Sequence, residues 1–218
     1  MRTGHAEEIV CAALEVRGLR SERFLKSETR AGRKTPDRRV YREQEFTFYL
    51  EIKEIEDVLK HGIGDSILDR VAARIHDAVA QFDAVNPERI HPNVLAFVNR
   101  NPRCGALDLI EVVTGRRLLE GGETAPIGLR WSEGRIREEK WRVDLWLWFD
   151  CHKADQIFFN AMDERHGDRL ASLFGTDPNS IPDVLKQHTS GRSGRVVRAQ
   201  NSRVINATTV TAANRARG

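Results

Sequence analysis

Cysteine is scarce in this sequence, and its placement excludes two common kinds of site. The three cysteines, Cys11, Cys104 and Cys151, are widely spaced and odd in number. They therefore provide neither a disulfide framework nor a CxxC zinc pair, so we expect a reducing, cytoplasmic setting. The sequence also lacks a GxSxG, HExxH or Walker-type motif, so none of these motif-defined chemistries is indicated.

Long apolar runs are missing as well. No run approaches the roughly 18 residues that a membrane-spanning helix needs. The first residues lead into Glu7 and Glu8 rather than into an apolar signal region. We therefore expect a soluble protein without a membrane partner. The length of 218 residues suits one substantial core, with room for an appendage.

Acidic residues are absent from the C-terminal part. From Lys186 onward the chain holds one Lys, six Arg and no acid. Taking these seven positive charges from the formal net charge of +3 leaves −4 for residues 1–185. A flexible cationic arm adds affinity for phosphate without sequence preference, which favours a nucleic-acid partner. A solubilising extension is the alternative. Its polar composition predicts that segment 186–218 is a mobile tail.

Apolar periodicity predicts an α-β-β-β-α-β order for the first 100 residues, which form the predicted core domain, 1–100. The predicted elements are a helix at 6–17 ended by Gly18, a strand at 23–28, a hairpin of strands 37–42 and 46–53, a helix at 66–83 and a strand at 94–99. The last strand is almost wholly apolar, which is typical of a buried strand reached by a parallel crossover. The predicted class is therefore α/β with a mixed central sheet.

Residues 101–185 are predicted to form an α+β extension packed on this core, for specificity or dimerisation. The pattern gives a helix at 106–113, a strong strand at 141–149 and a short helix at 168–174. Trp146 and Trp148 share strand parity, which favours a common core face, and stacking on nucleic-acid bases is the alternative.

The informative segment is Pro36-Asp37, then thirteen residues, then Glu51-Ile52-Lys53. Strand residues alternate between faces. The alternation predicts one face with Phe46, Phe48, Leu50 and Ile52, and an opposite face with Thr47, Tyr49, Glu51 and Lys53. Asp37 opens the partner strand of the hairpin, so two carboxylates and one ammonium group converge.

This set of groups suits phosphodiester hydrolysis. Asp37 and Glu51, with the backbone carbonyl of Ile52, offer hard oxygen ligands of the kind that Mg²⁺ or Mn²⁺ accepts. A divalent ion there would neutralise phosphate charge and lower the pKa of a bound water. Lys53 would orient the attacking water or stabilise the charge that builds on the phosphorus centre.

These residues resemble the signature of the PD-(D/E)xK nuclease superfamily, which includes restriction endonucleases and Holliday-junction resolvases. The α-β-β-β-α-β core of that superfamily matches the predicted order, and the resemblance covers roughly residues 6–100. It implies a restriction-endonuclease-like core and a metal-dependent nuclease, acting on DNA in preference to RNA as an endonuclease. A catalytically silent binding module that retains the fold, or a hairpin whose charges are merely solvated, is the alternative.

The resemblance also implies further site residues. Many members add an acid from the first helix; we prefer Glu8 over Glu7, although either also favours the helix dipole. Related resolvase-like enzymes place a Gln on the second helix to touch the lysine or the phosphate, which indicates Gln81, with a surface Gln as the alternative.

Three residues are predicted to contact nucleic acid around this site. Lys34 and Arg38 flank Asp37 and would bind neighbouring phosphates, unless they belong to a solvated loop. Tyr49 shares the face of Glu51 and would line the cleft, unless it is packed. A homodimer would allow two sites to cut both strands.

Overall fold

A mixed sheet of six strands organises the part of the chain that the computed structural model describes, which comprises residues 4–25, 28, 34–56, 67–119, 123–127, 136, 138–152, 156–160 and 166–174. The first half contains α1 (Gly4–Glu15), β1 (Leu19–Arg23), β2 (Arg38–Arg42), β3 (Glu45–Ile55), α2 (Ile67–Val85) and β4 (Asn93–Asn99). The second half contains α3 (Ala106–Thr114), β5 (Arg116–Leu118), β6 (Thr124–Pro126), a 3-10 turn (Lys140–Arg142), β7 (Leu145–Asp150), β8 (Gln156–Asn160) and α4 (Gly167–Phe174).

The strand order of the main sheet is β1-β2-β3-β4-β7-β8. β3, β4 and β7 are mutually parallel, whereas β1, β2 and β8 join antiparallel. β5 and β6 form a separate hairpin. The predicted α-β-β-β-α-β order and the parallel crossover through α2 are confirmed, and so is the α/β class with a mixed sheet.

The first strand lies earlier than predicted. The strand expected at 23–28 is wrong, because β1 occupies Leu19–Arg23 and follows α1 almost directly. Gly18 has φ +69, a left-handed conformation that glycine adopts without steric cost, and it reverses the chain there. Leu19 is then buried opposite Arg42.

A β-bulge interrupts the predicted alternation of β3. Val40 pairs with Phe48 but Tyr41 pairs with Phe46, so Thr47 is the extra residue. Its hydroxyl accepts a hydrogen bond from the Arg42 amide at 3.1 Å and donates one to the Glu45 carbonyl at 3.2 Å. The placement of Phe46 on the face of Phe48 is therefore wrong. From Phe48 to residue 53 the alternation is confirmed.

Each face of the sheet carries its own core. On one face α2 and α3 pack over the sheet, and the largest fully buried side chains there are Phe82, Phe97, Trp146 and Trp148. This arrangement confirms the shared core face of the two tryptophans. On the opposite face α1 and α4 cover Val40, Phe48, Leu50, Ala96 and Leu147.

The sheet continues past the boundary predicted at residue 100. β7 pairs with β4 and β8 pairs with β7, so two strands of segment 101–185 extend the main sheet, whereas α3 packs over the sheet and β5 and β6 form their own hairpin. The predicted tail, 186–218, lies outside the described residues. None of the helices described is long and apolar enough to cross a membrane.

Two leucines of α3 provide a matched test of this packing. Leu109 is fully buried, whereas Leu107 is 64% exposed on the same helix. We expect Leu109→Ala to lower the free energy of unfolding by about 2–5 kcal/mol, because it removes packed apolar surface and leaves a cavity. Leu107→Ala should change it by less than about 0.5 kcal/mol. Urea denaturation measures both, and equal effects would contradict this packing.

Candidate active site

Two reciprocal hydrogen bonds attach the segment before β2 to the middle of β3. The Asp37 amide donates to Glu51 Oε2 at 3.0 Å, and the Ile52 amide donates to Asp37 Oδ2 at 2.8 Å. Pro36 is buried just before, and a proline holds the preceding residue in extended backbone. The two carboxylates are therefore held side by side at the point where β2 begins.

Lys53 completes the cluster from the same face of β3. Its Nζ donates to Glu51 Oε1 at 2.6 Å and to Gln81 Oε1 at 2.7 Å. Gln81, on α2, donates in turn to the Thr35 carbonyl at 2.9 Å. The structure thus brings the predicted Gln81 to the predicted lysine. It also shows that the same amide ties α2 to the segment that carries Asp37.

The cluster holds two carboxylates against one ammonium group in a nearly dry place. Glu51 is only 2% exposed, and burial raises its pKa to about 7; the negative charge of Asp37 adds to the rise, and Lys53 opposes it. Burial also raises the pKa of Asp37, against the Ile52 hydrogen bond and the Lys53 charge. A further cation would therefore relieve the repulsion between the two acids.

The Ile52 carbonyl faces the same edge as the two acids. The amide of Tyr49 and the carbonyl of Ile55 both point toward β4, as their bonds to Pro92 and Arg100 show. Strand residues of the opposite parity direct their amide and carbonyl groups to the other side. Ile52 therefore faces the β2 side, where β2 itself begins only opposite Leu50.

The oxygen ligands that these residues offer suit a hard cation and not a zinc ion. Within the described residues, no group of three or more His, Cys, Asp or Glu is arranged to hold a metal. Mg²⁺ needs fewer protein ligands, since it keeps several waters and binds through one or two carboxylates plus substrate phosphate. Asp37 and Glu51, whose carboxylates lie side by side, offer such ligands together with the Ile52 carbonyl.

On the first helix, Glu7 and not the preferred Glu8 pairs with Arg38, the residue that follows Asp37. Glu8 is exposed and lies 3.7 Å from His5, away from the other site residues. Glu7 accepts hydrogen bonds from Arg38 at 2.6 Å and from Arg23 at 2.7 Å, and its charge raises the pKa of Asp37. Burial opposes ionisation of Glu7, but the two arginines outweigh it, so its pKa is lowered.

Position along the helix could have identified this residue. Val10 and Leu14, three and seven residues after Glu7, are buried on the sheet. Residues at these spacings share a helix face, so Glu7 lies on the packed side and Glu8 turns toward solvent.

The predicted nucleic-acid contacts lie in different environments. Arg38 turns to the α1 face, where it is bound by Glu7 and lies 3.2 Å from the Ser21 hydroxyl, so the structure does not bring it to Lys53. Lys34 is exposed just before the buried Pro36. Tyr49 is half-buried on the face of Glu51.

Comparison with protein-family models, with curated proteins and with solved structures returns no match. The resemblance to PD-(D/E)xK nucleases therefore rests on the residues of this cluster and on the order of the elements that carry them.

The pKa of Glu51 predicts how stability depends on pH in chelator-treated protein. The native state keeps a proton that the unfolded state releases between the usual value of 4.5 and about 7. The free energy of unfolding should therefore fall as the pH rises through this window, by on the order of 3 kcal/mol. Glu51→Gln removes this component, whereas Glu54→Gln, on the same strand, keeps it. Urea denaturation over a pH series measures the fall, and identical slopes for wild type and Glu51→Gln would contradict it.

Proposed function

We propose that this protein is a metal-dependent nuclease of the PD-(D/E)xK kind, acting as a DNA endonuclease with Mg²⁺ or Mn²⁺. The observation that carries the proposal is the convergence of Asp37, Glu51 and Lys53, joined by hydrogen bonds of 2.6–3.0 Å through Glu51 and the β3 backbone. Two acids and a lysine at one buried point suit phosphodiester hydrolysis.

The position of the cluster in the fold also supports the proposal. Asp37 directly precedes β2, and Glu51 and Lys53 lie in the middle of β3, with α1 and α2 on opposite faces of the sheet. This is the arrangement expected of a restriction-endonuclease-like core. The antiparallel β1-β2-β3 unit continued by parallel β4 agrees with that expectation.

Each residue has a distinct chemical part in the proposal. A divalent cation held by Asp37, Glu51 and the Ile52 carbonyl would neutralise phosphate charge and acidify a water molecule. Lys53 supplies a fixed positive charge that orients the attacking oxygen or stabilises charge on the phosphate. Gln81 fixes the Lys53 ammonium group through a single hydrogen bond, so it acts as a positioning residue.

A catalytically silent nucleic-acid-binding module is the second candidate. It is favoured by the fact that Asp37, Glu51 and Lys53 already have partners within the cluster. Such internal pairing would let the three groups serve the fold alone, as an ion pair and two backbone bonds.

A cleavage assay separates these two candidates. We expect the wild type to cut plasmid or single-stranded circular DNA with Mg²⁺ or Mn²⁺ and to stop when EDTA is added. Asp37→Asn and Lys53→Met should each lower the rate by about 10²–10³-fold, because each removes charge stabilisation at the phosphate. Glu54→Gln is the matched control: Glu54 directly follows Lys53 on β3 but pairs with Arg100 at 3.0 Å. It should keep the wild-type rate.

The other outcomes are equally informative. Wild-type protein that binds DNA but does not cut it with either metal would support the silent module. Cleavage at the wild-type rate by Asp37→Asn and Lys53→Met would assign the activity to other residues and refute the proposed site. An RNA strand of the same sequence, tested in parallel, decides between the two nucleic acids.

A further inference from the structure

A row of aromatic side chains lies on the β2-β3 part of the sheet beside the cluster, with one further ring just after β1 and one shortly before β4. It comprises Phe24, Tyr41, Phe46, Tyr49 and His91, and we call it the aromatic strip. The ring centroids of Phe24 and Tyr49 lie 6.1 Å apart with planes inclined by only 21°. Those of Tyr49 and Phe46 lie 4.8 Å apart, Phe46 and Tyr41 5.6 Å, and Phe46 and His91 4.6 Å. The rings thus form one continuous contact chain.

The aromatic strip is only partly covered by the described parts of the chain. All five of its residues are half-buried and none is buried. α2 packs on β3 and β4, so it shields the cluster side of this face. The bulge at Thr47 turns Phe46 toward Tyr49, so the bulge itself contributes a ring to this surface.

Two arginines lie against the rings of the strip. The guanidinium carbon of Arg39 lies 4.1 Å from the ring centroid of Phe24, and that of Arg20 lies 5.1 Å from the ring centroid of Tyr41. Their acidic partners are the exposed Glu28 and Glu22. Exposed ion pairs of this kind contribute little, so a phosphate group can replace either carboxylate.

The aromatic strip runs directly into the proposed active site. Tyr49 precedes Glu51 by two residues and therefore shares its face of β3, and Arg39 lies opposite Tyr49 on β2. Three adjacent strands span about 10 Å, which is room for two or three unpaired bases. Rings and guanidinium groups thus lead from the sheet edge to the cluster.

We propose that the aromatic strip binds an unpaired stretch of nucleic acid, with bases against its rings and phosphates at Arg20 and Arg39. This inference rests on the proposed function, because it specifies the substrate of the proposed nuclease as single-stranded or locally unpaired nucleic acid. Bases of a duplex stack on each other and leave no face for a side chain, whereas the bases of a single strand do. Since every base has such a face, binding is not selective for sequence.

Binding without cleavage tests this surface. The Kd of the full chain is measured in EDTA by fluorescence anisotropy, with a labelled mixed-sequence single strand and with its duplex. We expect the single strand to bind more tightly than the duplex. Tyr41→Leu and Phe24→Leu keep apolar bulk but remove the ring, so each should weaken single-strand binding about tenfold. Trp141→Leu is the matched control, since Trp141 is 40% exposed beside Lys140 and outside the strip. It should bind as the wild type does.

Photocrosslinking of the wild type makes the test independent of any variant. A single strand that carries 5-iododeoxyuridine is irradiated with the protein, and the crosslinked peptides are identified by mass spectrometry. Crosslinks at Phe24, Tyr41, Phe46 or Tyr49 are expected. Equal affinity for duplex and single strand, unchanged affinity in both strip variants, or crosslinks confined to other residues would each overturn the proposal.

The two proposals fail separately. Protein whose binding in EDTA depends on the strip but which never cuts DNA with Mg²⁺ or Mn²⁺ would refute the nuclease and leave the binding surface standing. Protein that cuts, but whose strip variants bind as the wild type does, would refute the surface and leave the nuclease standing.

Discussion

The reciprocal pair of hydrogen bonds between Asp37 and β3 is the interaction on which the site depends. Each bond joins a backbone amide to a carboxylate, so the position of one acid is set by the main chain beside the other. Bonds to charged acceptors are stronger than neutral ones. They replace the strand pairing that β2 no longer supplies before Arg38. Asp37, although it lies before the strand, is therefore held as firmly as a strand residue. Its carboxylate lies close to that of Glu51.

That proximity has an energetic cost, which the surrounding fold offsets only in part. A buried charge without a partner costs several kcal/mol. The Glu51 carboxylate is paired with the Lys53 ammonium group, which also donates a hydrogen bond to Gln81. The packed apolar face of α2 holds Gln81 in place. Burial is the main reason that the pKa of each acid is raised, and for Glu51 the negative charge of Asp37 adds to the rise. Perturbed acids of this kind are typical of sites that bind a cation or perform catalysis.

The sequence predicted those parts of the fold in which burial follows a regular period. In three elements the spacing of apolar residues determines both the type of element and its buried face. They are α2, β4 and the part of β3 from Phe48 to Lys53. β1 is largely charged, so no apolar pattern indicates its position in the sequence. Its start is set instead by the chain reversal at Gly18. The bulge at Thr47 depends on a hydroxyl bonded across the hairpin. Glu7 rather than Glu8 shares the helix face of Val10 and Leu14, so the spacing of these apolar residues could have decided between the two acids.

Diffraction from crystals grown with Mn²⁺ shows whether the cluster binds a cation, because anomalous scattering locates the ion without reference to activity. We expect an anomalous peak about 2 Å from oxygens of both Asp37 and Glu51, and no such peak in crystals of Asp37→Asn. Ordered carboxylates in the arrangement described here, with no Mn²⁺ between them at a concentration that saturates other sites, would contradict it.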